Sequence, residues 1–385
     1  MANGKAPVLS GVGAFSQWLR KGRGLVTVSL CMIVRNEEDV LGRCLQSVAD
    51  LVDEIIIVDT GSEDSTKEIA GKFTEHIYDF PWIDDFAAAR NEAFSHAGCD
   101  YCMWLDADDI LTQKDRGEFA KLKQSLAPDT DVVMMRYNTG FDEKGNVTFS
   151  YYRERIVRNN AGMRWSGAVH EVIETHGNII YSECAVTHWK LHPSDPDRNL
   201  LIFEKLLSRG DRLDPRQQFY YGRELYYHKR YEDALGVIEH FLNEGRGWLE
   251  NRLDACRHSA LCLYGLGRDD EALKALFNSF CYDLPRAEMC CDIGKHFFDR
   301  ESWAQAAYWY ERALACERAD SRGGFVLPDC YGFIPYLQLC VCYSKSGRTT
   351  EAERMNELAA RLKPDSPAVA HNRAYFASLR GEGER

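Results

Sequence analysis

The sequence predicts two domains in tandem: an α/β domain with a mixed sheet over residues 25–195, and an all-α array of helical repeats over 196–385. Three observations carry this prediction. Short apolar runs alternate with amphipathic stretches up to about residue 130, the pattern of strands joined by helices in a parallel sheet. Longer alternating segments follow to residue 187, as in antiparallel strands added to such a core. Beyond them strand patterns stop and small residues recur at a repeat spacing.

The first-domain runs are 26–34, 54–59, 76–80 and 101–106. Each ends in polar residues, and in open α/β sheets the carboxyl ends of the strands form the ligand crevice, so chemistry is sought there. The later segments, 131–138, 147–157, 169–174 and 179–187, are punctuated by Gly145-Asn146 and Gly177-Asn178 turns. Asp195-Pro196-Asp197 marks the domain boundary.

In the second domain Ala234, Ala272, Ala306 and Ala352 recur at intervals of 34 to 46 residues. About 12 residues before each stands another small residue: Gly222, Ala260, Gly294 and Cys340. Small side chains are needed where paired helices approach closely, and Pro364 closes the last unit. This region resembles tetratricopeptide repeats. The long third interval is read as a loop insertion at 320–328, and 368–380 as a capping helix. Such an array suits gripping a peptide or protein, or pairing with a second copy in a homodimer.

Composition narrows the function classes. With 47 Lys+Arg against 59 Asp+Glu, the formal charge of −12 leaves no basic footprint for nucleic acid. The 14 cysteines sit in apolar stretches, as at Cys262, Cys290, Cys291, Cys340 and Cys342, instead of at disulfide-framework spacings. They are expected to be reduced in a cytoplasmic protein. No apolar run approaches the roughly 20 residues that span a bilayer. Residues 1–24 are expected to be a leader, disordered or else a short amphipathic helix through Val8, Val12, Phe15 and Leu19, with peripheral membrane contact at most.

Four stretches could carry chemistry. Asn36-Glu37-Glu38 ends the first strand, and Asp59-Thr60-Gly61-Ser62 ends the second. An Asp there can accept from a uracil imide or a ribose hydroxyl, while Ser62 reads as a helix cap. Asp106-Ala107-Asp108-Asp109 follows the 101–106 run; hard carboxylate oxygens of this kind hold Mg²⁺ or Mn²⁺, which neutralises a nucleotide diphosphate. The carboxylates of this stretch are expected to converge with Asp59 around one divalent ion. The fourth stretch is Trp165-Ser166-Gly167-Ala168-Val169-His170-Glu171, with a carboxylate suited to proton abstraction.

Taken in order, these residues resemble the family 2 glycosyltransferases of the GT-A fold over residues 25–192. Trp82 to Ala93, which includes Asp84-Asp85-Phe86 and Arg90-Asn91, is particularly like the members with C-terminal repeats. Those include glycosyltransferases that modify cysteine in antimicrobial peptides and relatives acting on lipopolysaccharide core. The resemblance implies a Rossmann-like mixed sheet and inverting transfer from a nucleotide-diphosphate sugar, a UDP-sugar first. Asp59, with Asn36 and Glu37, would seat the nucleotide, and Arg90 would reach the donor. Asp106 and Asp108 would hold metal and diphosphate, His188 completing the metal shell. Glu171 would be the base; many members have Glu-Asp where this chain has His170-Glu171, so His170 and Asp109 stay open for that role. A peptide or protein acceptor comes first, a lipopolysaccharide-core or lipid-linked acceptor second, and a non-catalytic nucleotide-sugar scaffold third. No Gly-x-Gly-x-x-Gly, phosphate loop or Gly-x-Ser-x-Gly turn is found, so dehydrogenase, kinase and serine hydrolase readings lose their support.

Overall fold

The computed structural model describes residues 26–142, 145–191, 195–318 and 326–382. The expected leader and most of the expected insertion at 320–328 lie outside the described residues. The chain divides into two compact units at residues 194/195.

The first unit is built on an eight-stranded sheet. Its strands are β1 (Val28–Val34), β2 (Glu54–Asp59), β3 (Ile77–Asp79), β4 (Tyr101–Trp104), β5 (Asp109–Ile110), β6 (Val132–Phe141), β7 (Val147–Arg158) and β10 (Ile179–His188). The order across the sheet is β3-β2-β1-β4-β7-β6-β10-β5. Strands β1 to β4 are mutually parallel, and β7 runs antiparallel to both β4 and β6. Segment 179–187 was expected as a further antiparallel strand, but β10 pairs with β6 in parallel. The reason lies in the connection. After β7 the chain leaves the sheet and forms a separate two-stranded ribbon, β8 (Trp165–Ser166) and β9 (Val172–Ile173), before it returns in the direction of β6. The expected strand 169–174 shrinks to β9, because Gly167 at φ 95° and His170 at φ 54° interrupt the extended run.

The parallel return has a functional consequence. It brings the carboxyl end of β10 to the edge where β1, β2 and β4 also end, and His188 pairs with Asp109 of β5 there.

Both sheet faces are covered, with strand residues alternating between two cores. Leu30, Met32 and Ile57 pack on one side with Leu41, Cys44, Leu45 and Val48 of helix α1 (Leu41–Val48). Cys31, Ile56, Val58 and Trp104 pack on the other with Ala87 and Ala93 of α3 (Phe86–Ser95). Each fully buried Leu or Ile contributes about 1.5–3 kcal/mol of transfer free energy. Helix α2 (Thr66–Ala70) and helix α4 (Gln113–Ser125) complete the unit; Asp85 caps α3 and Thr112 caps α4.

The second unit is all-helical. Among the described residues, α5 (Arg198–Ser208) is followed by four hairpins: α6 (Pro215–Tyr227) with α7 (Tyr231–Glu244), α8 (Leu249–Gly265) with α9 (Asp269–Asn278), α10 (Ala287–Phe298) with α11 (Trp303–Leu314), and α12 (Phe333–Lys345) with α13 (Thr349–Leu362). A last helix, α14 (Pro367–Glu382), follows, with Phe376 in the core of the final hairpins. Helix α6 starts on a capping box between Asp214 and Gln217, with Pro215 where its missing N–H costs nothing. The four alanines of the repeat pattern are fully buried. Their small partners are small for a steric reason: a Cβ on Gly222 would lie 2.5 Å from Ile238 Cγ1, and one on Gly294 would lie 3.0 Å from the Tyr310 ring. The unit is an array of tetratricopeptide-like hairpins.

Candidate active site

The polar ends of β1 and β2 are stitched together. The Asn36 amide donates to the Ser62 hydroxyl (3.0 Å), and the Asn36 side-chain oxygen accepts from the Glu63 amide (2.8 Å). The Glu37 amide donates to Thr66 Oγ1, the Glu38 amide to Asp64, and Glu38 in turn accepts from the Ser65 amide. Ser62 is therefore not the helix cap it was expected to be, since α2 starts at Thr66 and the Ser62 hydroxyl is spent on Asn36. These bonds hold Asn36 at φ 54°, a conformation Asn tolerates better than most residues.

Asp59 lies beneath this loop pair and is buried. Its Oδ1 accepts from the amides of Gly61 (2.9 Å) and Ser62 (2.8 Å), with Lys67 Nζ 3.8 Å away. Its Oδ2 is buried and has no hydrogen-bond partner. A buried carboxylate oxygen left unpaired is costly, and a ligand donor at that position would relieve the cost.

The acidic stretch after β4 folds as a tight turn, in which the Asp109 amide donates to the Asp106 carbonyl and the Asp106 amide to Asp109 Oδ2. Two of its three carboxylates, Asp108 and Asp109, face His188, and the third turns away. Asp109 is fully buried, and accepts from Tyr137 Oη (2.9 Å) and Arg155 Nη1 (3.1 Å). Asp108 stays partly open, with Oδ1 3.3 Å from His188 Nδ1. Asp106 turns the other way, to Arg90 Nη2 at 2.6 Å.

Asp108, Asp109 and His188 form the one metal-competent group among the described residues, with donor atoms all within 4.8 Å of one another. Two carboxylates and an imidazole fit a hard divalent cation such as Mg²⁺ or Mn²⁺. The expected set was Asp106, Asp108 and His188. Asp109 stands where Asp106 was expected because Arg90 draws the Asp106 carboxylate away. Asp59 is outside the group, so the expected convergence of the two acidic tips on one ion is not what the geometry shows. Hydrogen bonds to Asp108 and Asp109 push the His188 imidazole up to about 10. Burial pushes the Asp106 carboxyl up, but Arg90 and Arg155 outweigh it and hold it at about 2.

The third part is the α3 contact with the 165–171 loop. Arg90 Nε donates to Glu171 Oε1 at 2.7 Å, so one guanidinium spans Glu171 and Asp106. Arg90 is buried; of its two partners Glu171 is mostly buried and Asp106 is 35% exposed. Sequence reasoning missed Tyr137 and Arg155, which orient Asp109. Arg155 carried a signal: a charged residue directly before the apolar pair Ile156-Val157 in a strand needs a buried partner.

The first unit is thus an α/β domain whose parallel strands end in carboxylates on one edge, the edge where such sheets form their ligand crevice. Residues 29–182 match the family described as "Glycosyl transferase family 2", so the first unit is similar to the glycosyltransferase domains of that family. A TPR repeat-containing protein of Synechococcus elongatus is 39% identical over 155 residues, 40% of this chain and 37% of that protein. The SPbeta prophage-derived glycosyltransferase SunS of Bacillus subtilis is 27% identical over 245 residues, 59% of this chain and 56% of that protein. The lipopolysaccharide core biosynthesis glycosyltransferase LpsC of Rhizobium meliloti is 28% identical over 164 residues, 40% of this chain and 58% of that protein. The chain thus spans less than two thirds of each relative's own length. No helix among the described residues is long and apolar enough to cross a membrane.

Proposed function

We propose that the protein transfers a sugar, with inversion, from a nucleotide-diphosphate sugar, a UDP-sugar first, to a peptide or protein acceptor engaged by the helical repeats. The observation that carries this reading is the grouping of Asp108, Asp109 and His188 on the strand-end edge that also bears Asp59. Asp59 seats the nucleotide through its unpaired Oδ2, and Asn36 and Glu37 shape the loop around it. Asp108, Asp109 and His188 would hold Mg²⁺ or Mn²⁺, and the ion would neutralise charge on the departing diphosphate. Glu171 takes the proton of the acceptor nucleophile. The complete burial of Asp109 and its bonds to Tyr137 and Arg155 support Glu171 over Asp109 for that role.

The resemblance to peptide-modifying members and the four hairpins support a peptide acceptor. The likeness to LpsC supports a lipopolysaccharide-core acceptor as the second reading. All 14 cysteines are unbonded, which supports a reducing, cytoplasmic setting.

A thermal-shift series with UDP-, GDP- and dTDP-sugars, with and without Mn²⁺, tests the reading, because a ligand stabilises the folded state according to its affinity. One nucleotide class should raise the melting temperature in a Mn²⁺-dependent way, and Asp108→Ala should abolish the metal dependence. No shift with any donor would sink the proposal; a shift without turnover of donor by any acceptor or by water would leave a binding scaffold.

A further inference from the structure

Resting on the glycosyl-transfer reading, we infer that Arg90 is a positioning residue that fixes Glu171 relative to the Asp106 turn, and that it is not a contact to the donor.

The guanidinium has two nitrogens committed to two different carboxylates. Nε donates to Glu171 at 2.7 Å and Nη2 to Asp106 at 2.6 Å. The planar fork of arginine fixes the angle between these bonds, which a point charge such as an ammonium cannot do. The group is also clamped from both faces, with its carbon 4.9 Å from the Trp104 ring and 4.8 Å from the Trp165 ring. Those rings meet edge to face at 5.0 Å, so the slot is itself fixed. The Arg90 side chain is 9% exposed.

The same helix grips the Glu171 loop at two further points. The Phe86 amide at the start of α3 donates to the Ala168 carbonyl at 2.9 Å. Asn91 then brackets the Trp165 backbone: its Nδ2 donates to the carbonyl, and its Oδ1 accepts from the amide, both at 2.9 Å. Residues 165–171, with left-handed backbone at Gly167 and His170, are therefore held by α3 at Trp165, Ala168 and Glu171. Only the last of these holds reaches a carboxylate suited to proton abstraction. Arg90 ties that carboxylate to the turn that also carries Asp108. One nitrogen, Nη1, is buried without a hydrogen-bond partner, so a donor oxygen is the rival partner that an experiment has to separate.

The experiment compares wild type, Arg90→Gln, Arg90→Lys, Glu171→Gln and the Arg90→Gln/Glu171→Gln double variant. Turnover of UDP-glucose and UDP-N-acetylglucosamine with Mn²⁺ gives kcat and KM, UDP with Mn²⁺ gives the thermal shift, and hydrogen exchange gives the protection of residues 165–173. Arg90→Gln should lose about 100-fold or more in kcat, the scale of general-base loss, with the donor KM and the UDP shift unchanged. The double variant should be no slower than Glu171→Gln alone, because both act through one group. Exchange at 165–173 should quicken while the rest of the unit keeps its protection. Arg90→Lys retains the buried charge, guards against a folding failure of the Gln variant, and should show the same kinetic loss.

A raised donor KM with kcat kept would make Arg90 a donor contact and overturn the inference. So would additive losses in the double variant, or unchanged exchange at 165–173. These outcomes leave wild-type turnover intact, and so spare the glycosyl-transfer reading. A wild-type protein that UDP and Mn²⁺ do not stabilise refutes that reading itself, and the inference falls with it.

Discussion

Arg155 Nη1 donates to Asp109 Oδ2 at 3.1 Å, and neither side chain has any exposure to solvent. Breaking such a pair from one side leaves an uncompensated buried charge. Asp109→Ala should therefore cost about 3–5 kcal/mol of stability. Asp108, one residue earlier and partly open, pairs with the partly exposed His188 imidazole instead, so Asp108→Ala should cost less, about 1 kcal/mol, while it removes metal-dependent stabilisation. Urea unfolding of both variants checks the contrast; equal destabilisation would mean that the two aspartates do the same work.

Asp59 invites a milder substitution. In Asp59→Asn the remaining carbonyl oxygen can still accept from Gly61 and Ser62, so the loop should survive. The free oxygen would be replaced by an amide donor, turned toward whatever the carboxylate recognises. Losing a hydrogen bond to a charged group costs about 1.5–3 kcal/mol, roughly tenfold or more in affinity. Calorimetric titration with UDP should show that loss with little change in melting temperature. UDP affinity equal to wild type would remove Asp59 from the nucleotide seat.

How much of this was legible in the sequence depends on the range of the interaction. The strands of the parallel core were readable because each is a local apolar run; 54–59 matches β2 residue for residue. The repeat hairpins were readable because Gly222 and Ala234, or Gly294 and Ala306, lie within one local unit, and their smallness records a helix crossing. The direction of β10 was not readable, since it depends on the chain leaving the sheet at 165–173 and returning beside β6. The same limit applied at the site. Which carboxylates bear on His188 is decided by Arg90, Tyr137 and Arg155, which come from α3, β6 and β7 and are far from Asp106 in sequence. A run of three aspartates shows that an acidic turn exists and leaves open which way each carboxylate faces.

Two glycines in the first hairpin should respond oppositely to alanine. Gly236 sits in α7, and a Cβ added there would meet nothing within 4 Å, so Gly236→Ala should stabilise by about 0.5–1 kcal/mol through lower chain entropy. Gly222→Ala makes the same entropic change but drives its methyl into fully buried Ile238. Overpacking of that kind costs about 1–3 kcal/mol, so the net effect should be destabilising. Chemical denaturation of both variants decides the matter; stabilisation of Gly222→Ala would show that the helices can part without cost.

The repeat unit should also weaken in mild acid through His296. Burial, with the Arg300 guanidinium adding to it, holds this imidazole below its ordinary value of 6.5. Its Nδ1 lies 2.8 Å from Tyr264 Oη, and the Asp269, Asp270 and Asp299 carboxylates oppose the shift without cancelling it. Above pH 6.5 the imidazole is neutral in both folded and unfolded chains and contributes no slope. As pH falls below 6.5, the unfolded chain takes up the proton first, and stability declines at up to about 1.4 kcal/mol per pH unit until the folded form also protonates. His228 works in the opposite sense, since its hydrogen bond to the Glu224 carbonyl and its contact with Asp197 raise it. The decisive quantity is therefore the difference between wild type and His296→Asn in urea midpoints between about pH 7.5 and 5.5. Wild type should lose ground to the variant only below pH 6.5. A wild-type-minus-variant difference that is flat across that range, or that grows as pH falls, would mean that the folded unit accepts the proton on His296 at least as readily as the open chain does.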